Sequence, residues 1–63
     1  MSGEILVDKK EAARRLSISV RELDECRMRG DIAARKYGTK VLFEVAELER
    51  FAESLPADEP RSA

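Results

Sequence analysis

Apolar residues recur with helical spacing in three segments of the chain. In the first, about Lys9–Leu16, one face collects the apolar residues Ala12, Ala13 and Leu16. In the second, about Val20–Arg29, three apolar residues follow one another at intervals of three: Val20, Leu23 and Cys26. In the third, about Val45–Leu55, a single stripe contains Val45, Leu48, Phe51, Ala52 and Leu55. The pattern predicts three short amphipathic helices.

The first two of these helices begin with nearly the same arrangement. Asp8 is followed three residues later by Glu11, and Ser19 is followed three residues later by Glu22. In each case the first side chain accepts from a free backbone N–H, and the Glu reaches back to the N–H of the capping residue. Gly30 then ends the second helix, where a positive φ costs glycine little. Two short helices joined by about three residues are the signature of a helix-turn-helix.

Extended runs flank the helical segments. Ile5–Val7 favours β structure and is long enough to add an edge to a small sheet. Residues 32–37 and 40–44 flank Gly38–Thr39, which predicts a hairpin. The cations that bracket its tip are Arg35, Lys36 and Lys40. Basic hairpin tips keep some sheet edges soluble, but beside a helix-turn-helix we favour a wing that contacts the phosphate backbone or the minor groove.

The second helix is oriented by its apolar residues. We expect Leu23 and Cys26 to face inward, so that Cys26 is a small, buried and unreactive hydrophobe with no redox or metal role. Helical spacing then groups four residues on the outward face: Arg21, Asp24, Glu25 and Met28.

Composition narrows the range of functions. The chain has 63 residues, no His and one Cys, so a single thin-cored domain is expected, without an internal disulfide or a His-based catalytic or metal site. No apolar run approaches the roughly 18 residues of a membrane span, and no signal-peptide pattern is present. We therefore expect a soluble, cytoplasmic binding protein. It should be neither an enzyme nor a membrane protein, and should have no cofactor, metal or small-molecule substrate.

Charge is distributed unevenly along the chain. The net charge is −1, but the charges are segregated. Lys9–Lys40 has ten Lys/Arg residues and five acidic residues, whereas Glu44–Ala63 has two Lys/Arg residues and six acidic residues. The first segment therefore carries +5 and the second −4. A basic body with an acidic C-terminal helix suits a partner of negative charge, although ordinary solvated surface also accounts for such a pattern.

The order strand, helix, turn, helix, glycine, hairpin, helix resembles that of the small winged helix-turn-helix domains of the excisionase/MerR-like group. The resemblance is carried by Leu6–Val7, Lys10–Leu16, Ser17–Ser19, Arg29–Gly30, Tyr37–Lys40 and Phe43–Phe51. It implies an α+β, mostly α, fold over residues 5–55. We expect a flexible N-terminus at 1–4 and a disordered tail at 56–63.

The resemblance also implies a function and the residues that carry it. The second helix would lie in the major groove of double-stranded DNA and use Ser19, Val20, Arg21, Asp24, Glu25 and Met28. The wing would lie on the adjacent minor groove and use Lys36, Thr39 and Lys40. Similar proteins are phage or mobile-element excisionases (recombination directionality factors) or small transcriptional regulators. Integrase, another protein or adjacent copies of the chain on DNA would be further partners.

The main alternative is a protein-interaction module on the same fold, such as an anti-repressor or inhibitor. The acids of the second and third helices and the sequence pI of about 5.4 favour this alternative.

Overall fold

Three helices and a three-stranded antiparallel sheet make up residues 5–58, the part of the chain that the computed structural model describes. In chain order the elements are β1 (Leu6–Asp8), α1 (Lys9–Leu16), α2 (Val20–Arg29), β2 (Arg35–Tyr37), β3 (Lys40–Glu44) and α3 (Val45–Ser54). The predicted winged helix-turn-helix architecture is confirmed. The predicted flexible residues 1–4 lie outside the described residues, as do 59–63 of the predicted tail, and 56–58 form neither helix nor strand.

The sheet places β3 between the other two strands. β1 pairs with β3 through Val7 opposite Phe43, and β2 pairs with it through Lys36 opposite Val41. The β2–β3 hairpin, hereafter the wing, turns through Gly38 and Thr39, and Gly38 has a φ of 63°. A positive φ at the first central residue is typical of a two-residue type II′ turn, which requires glycine there. The predicted hairpin is confirmed, although its first strand begins at Arg35 rather than at residue 32.

The core lies between one face of the sheet and the helices. Its fully buried centre consists of Phe43 from β3, Leu23 from α2 and Ile32 from the loop after α2. Ala12 and Ala13 are also buried, and their small size allows α2 and the sheet to approach α1 closely. Within residues 5–58 the remaining buried residues are Val7, Leu48 and Phe51. Burial of Ile32 explains why the first wing strand is short, because this residue fills the core instead of extending the sheet.

Cys26 faces inward as predicted, but the prediction that it is buried is wrong, because Cys26 is only half-buried. The reason is helical geometry. Residues three apart are separated by about 300°, so an i, i+3, i+6 series drifts by about 60° per step around the helix. Leu23, at the centre of the series, has 0% exposure, whereas Val20 at one side has 40%. Cys26 lies on the other side, packed against the edge of the core.

The apolar stripe of the third helix is also narrower than predicted. Leu48 and Phe51 are buried and Val45 is half-buried, but Ala52 and Leu55 are exposed. Leu55 lies past the end of α3 and has extended φ and ψ values of −76° and 143°. It precedes Pro56, and a residue before proline is disfavoured in the helical region, so the helix ends at Ser54 and the stripe ends with it.

Both helices of the helix-turn-helix end in the same way. At the end of α1 the N–H groups of Ser17 and Ile18 donate to Arg14 and Ala13, and at the end of α2 those of Gly30 and Asp31 donate to Arg27 and Cys26. Each is a Schellman motif, which needs one left-handed residue. Gly30 meets this requirement with a φ of 84°, as predicted, whereas Ser17 has a φ of 60° although it carries a Cβ. Strain is therefore stored in the turn between the two helices.

Candidate nucleic-acid interface

The N-terminus of α2 is held by a complete capping box. The N–H of Glu22 donates to Oγ of Ser19 at 3.0 Å, and the N–H of Ser19 donates to Oε1 of Glu22 at 2.9 Å. This predicted arrangement is confirmed. It leaves the N–H groups of Val20 and Arg21 at the positive end of the helix dipole, where an anion is stabilised.

The corresponding arrangement at α1 is only half formed. Asp8 accepts from the N–H of Glu11 at 2.7 Å, but the Glu11 carboxylate is directed to Arg14 and Arg15 instead of back to Asp8. These guanidinium groups lower the pKa of Glu11 to about 2. The prediction of two equal capping boxes is therefore wrong at α1, because two nearby cations hold Glu11.

The outward side of α2 is a shallow depression, hereafter the α2 face. It is lined by Val20, Arg21, Asp24, Glu25, Met28 and Arg29. The Arg21 side chain is 90% exposed, and its Nε lies 3.6 Å from Oε2 of Glu25 one turn later. Met28 is 78% exposed. The structure therefore groups five of the predicted DNA-contacting residues on one surface and leaves Ser19 at the start of the same helix.

Asp24 differs from Glu25, the other acid of the α2 face, because two cations hold it at short distance. Its carboxylate lies 3.1 Å from Nζ of Lys9 on α1 and 3.3 Å from Nη2 of Arg27. The hydrogen bond from Lys9 is the main cause of a lowered pKa at Asp24, and the bond from Arg27 contributes. Asp24 therefore carries its charge at neutral pH, but two cations balance that charge.

The wing presents its polar and aromatic side chains to solvent. Lys36, Tyr37, Thr39 and Lys40 are all exposed. Of the three predicted wing contacts, Thr39 lies in the turn and Lys40 follows it, whereas Lys36 lies two residues before the turn, opposite Val41. Tyr37 and Lys40 form the last residue pair before the turn. Arg35 is held by an ion pair of 3.3 Å with Glu44 and therefore offers less free charge than the two lysines.

The wing turn lies beside the start of α1. A second concavity, hereafter the wing concavity, is lined by Asp8, Lys9, Lys10, Thr39, Lys40, Val41 and Leu42. Lys9 borders this concavity and also holds Asp24 on the α2 face, so the Lys9–Asp24 ion pair joins the two surfaces. Lys9 and Lys10 were not among the predicted contacts. Lys9 and Lys10 lie beside the wing because Asp8 pairs with Leu42, which brings the start of α1 next to β3.

A second ionic cluster fixes the loop that leads from α2 to the wing. Glu47 of α3 accepts from the N–H of Ala33 at 3.0 Å and from Nη2 of Arg50 at 2.7 Å. The same Nη2 of Arg50 donates to the carbonyl of Asp31 at 2.9 Å. Arg50 first, and then the N–H of Ala33, lower the pKa of Glu47 to about 2. These contacts of Glu47 and Arg50 with Asp31 and Ala33, hereafter the loop clamp, connect the loop before β2 to α3.

Comparison with known proteins identifies the family. Residues 6–56 match the family model described as a helix-turn-helix domain. The chain belongs to the helix-turn-helix domain family. Because such domains place their second helix in the major groove of DNA, the protein is assigned to the DNA-binding proteins. The helix-turn-helix match spans every predicted contact residue, from Ser19 to Lys40, although the role of each one stays a prediction.

Searches of curated proteins and of solved structures found no significant match. Within residues 5–58, no helix is both long enough and apolar enough to cross a membrane.

Proposed function

We propose that this helix-turn-helix protein binds a specific double-stranded DNA site, with α2 in the major groove and the wing on the adjacent minor groove. The observation that carries the proposal is the ion pair of Lys9 with Asp24, which makes the α2 face and the wing concavity neighbours. This adjacency supports the proposal that one duplex contacts both surfaces. We assign the protein a binding role in the cytoplasm and no enzymatic activity.

Three kinds of contact would act together. Arg21, in the first turn of α2, is highly exposed and suits hydrogen bonding to a guanine edge. The Ser19 cap and the free N–H groups behind it suit a phosphate. Lys36 and Lys40 suit the phosphates beside the minor groove. Base contacts would give sequence preference, and phosphate contacts would fix the position of the protein on the duplex.

The small size of the domain supports a role in assemblies on DNA. A single module of this kind buries on the order of 600–1,000 Å² against DNA, so one copy should bind weakly. Adjacent copies or a protein partner such as integrase would provide the missing affinity. We therefore propose an excisionase of a phage or mobile element, or a small transcriptional regulator.

The alternative of a protein-interaction module rests on acidic residues, and the contacts of Asp24 weaken it. Lys9 and Arg27 neutralise Asp24, so Glu25 is the acid that remains for a basic partner on the α2 face, and Arg21 lies 3.6 Å from it. A mobility-shift titration separates the two functions, because the alternative requires negligible binding to every duplex.

The wing provides a quantitative test of the proposal. The double variant Lys36→Ala/Lys40→Ala removes two exposed cations beside the wing turn. Each lost phosphate contact should change the slope of log K against log[salt] by about 0.9, so the slope should become shallower by up to about two units on all sequences alike. Glu49→Gln is the control, since Glu49 is exposed on α3 and its removal also alters net charge. An unchanged slope in the double variant would exclude the wing contact, and no binding of the wild type to any duplex would overturn the proposed function.

A further inference from the structure

Met28 is the most exposed large apolar side chain of residues 5–58 and lies on the α2 face. It is 78% exposed in the third turn of α2, whereas Leu23 of the same helix is completely buried. Among the large apolar side chains of residues 5–58, Ile5 and Tyr37 have comparable exposure, but they lie near the end of the described chain and at the wing turn. Met28 instead lies in the depression that also contains Arg21 and Glu25. Its position therefore favours contact with a partner.

The row formed by Arg21, Glu25 and Met28 has a defined length. Steps of four and three residues keep the three side chains on one side of the helix, opposite Leu23. Seven residues of α-helix extend about 10.5 Å, which corresponds to about three base-pair steps of 3.4 Å. A helix lying along the major groove would therefore place Arg21 and Met28 over bases about three pairs apart, with Glu25 between them.

The chemistry of the groove then limits what each residue reads. In the major groove the thymine C5-methyl is the apolar group, guanine offers acceptors to arginine, and the cytosine amino group donates to a carboxylate. From this match we infer that Met28 reads the C5-methyl group of a thymine about three base pairs from the base read by Arg21. The inference rests on the proposed function, because it requires α2 to lie in the major groove. It makes Met28 a specificity-determining residue, with Glu25 on an intervening cytosine.

Methionine suits this contact physically. Its unbranched side chain has three rotatable bonds and a polarisable sulfur, so it fits around a methyl group without one rigid geometry. Removing both the Met28 surface and the methyl from water gains free energy in proportion to the apolar area buried. The same side chain offers neither a donor nor a charge to a phosphate or an amino group, so it gains little from the corresponding position of cytosine.

Deoxyuridine provides the test, since it differs from thymidine only by lacking the methyl. A duplex is first selected with the wild-type protein from a pool with 20 randomised base pairs, and each thymine is then replaced singly by deoxyuridine. The guanine read by Arg21 is located first, as the guanine whose replacement abolishes the effect of Arg21→Ala. At one thymine about three base pairs from this guanine, we expect deoxyuridine to weaken binding of the wild-type protein by about fourfold. Met28→Ala should bind the thymine and deoxyuridine duplexes equally. Leu55→Ala, a control at another exposed apolar residue, should keep the fourfold ratio.

The outcomes separate this inference from the proposed function. A pool that yields no bound duplex overturns the proposed function itself. Selected duplexes that bind equally with thymine and deoxyuridine at every position leave DNA binding intact and overturn the role of Met28. A ratio that persists in Met28→Ala also overturns it, because another residue then reads the methyl. Circular dichroism of both variants confirms folding, which substitution of an exposed side chain should not disturb.

Discussion

Removing Glu47 should destabilise the whole domain, because the loop clamp depends on this one carboxylate. Glu47 accepts from the N–H of Ala33 and from two nitrogens of Arg50, at distances between 2.7 and 3.0 Å. Its side chain is only 17% exposed. Glu47→Ala therefore leaves the Ala33 N–H without its acceptor and Arg50 without its anion, and loosens the loop that carries the buried Ile32.

The size of the effect follows from these contacts. A hydrogen bond from a backbone N–H to a charged acceptor contributes about 1.5 kcal/mol, and an exposed ion pair adds up to about 1 kcal/mol. Glu47→Ala should therefore cost about 2 kcal/mol. The free energy of unfolding expected for a domain of this length is about 3–9 kcal/mol, so the loss is a large fraction of it. At about 4–8 °C per kcal/mol, Tm should fall by about 8–16 °C.

Thermal unfolding followed by circular dichroism measures this change, and pH identifies its cause. Glu47→Gln keeps an oxygen acceptor but loses the charge, so it should cost about 1 kcal/mol at pH 7. Arg50 and the Ala33 N–H lower the pKa of Glu47 in the folded state from 4.5 to about 2. A group with a lowered folded pKa stabilises above its unfolded value, and this stabilisation is lost as pH falls toward the folded value. The difference in Tm between wild type and Glu47→Gln should therefore be constant from pH 7 to about 5 and shrink between about 4.5 and 2.

A matched control and a clear contrary result complete the experiment. Glu49→Gln removes a carboxylate from an exposed residue of the same helix and should change Tm by less than about 3 °C. Glu11 also has a lowered pKa, but it is present in every variant, so its titration cancels in the differences. Equal Tm values for Glu47→Ala and Glu49→Gln would refute the loop clamp. A difference that does not decrease at low pH would refute its ionic origin.

Two further predictions concern the turn and the α2 face. Ser17→Gly should raise the free energy of unfolding by about 0.5–1 kcal/mol, because relief of the left-handed strain at residue 17 exceeds the entropic cost of glycine's extra freedom in the unfolded chain. Urea titration measures this change, and a variant less stable than the wild type would contradict the prediction. Arg21→Ala should cost about 1–3 kcal/mol of specific binding, whereas Glu25→Gln should strengthen binding to random DNA and reduce the preference for the selected site. Both variants are measured at one fixed salt concentration on both duplexes, and parallel changes on the two duplexes would exclude base reading by Arg21.

Features determined by neighbouring residues could be predicted from the sequence. The residues at which α1 and α2 begin and end, the Ser19 capping box and the positive φ of Gly30 were predicted and are confirmed. Each of these features depends on contacts within a few residues. The grouping of Arg21, Asp24, Glu25 and Met28 on the α2 face was also predicted, since helical spacing alone brings these side chains together. The place of Arg29 on the same face was not predicted.

Features determined by pairing between distant segments could not be predicted in the same way. The start of α1 lies beside the wing only because Asp8 is opposite Leu42, a register that local propensity does not specify. The hydrogen bond of Ala33 with Glu47 joins residues 14 positions apart, and nothing in the spacing of either segment indicates it. Lys9 was for the same reason not recognised as the residue that joins the two surfaces.

The direct passage of β3 into α3 has a consequence for the spacing of the DNA site. β3 ends at Glu44 and α3 begins at Val45, and β1 passes into α1 equally directly at Asp8 and Lys9. β1 and β3 also pair with each other, so β3, the wing strand that continues into α3, has no linker on which to swing relative to α1 and α3. In the proposed complex the distance between the major-groove and minor-groove contacts is therefore built into the protein, and little conformational entropy is lost on binding. We therefore expect exchange of one base for another to weaken binding less than insertion of a single base pair between the two contact regions.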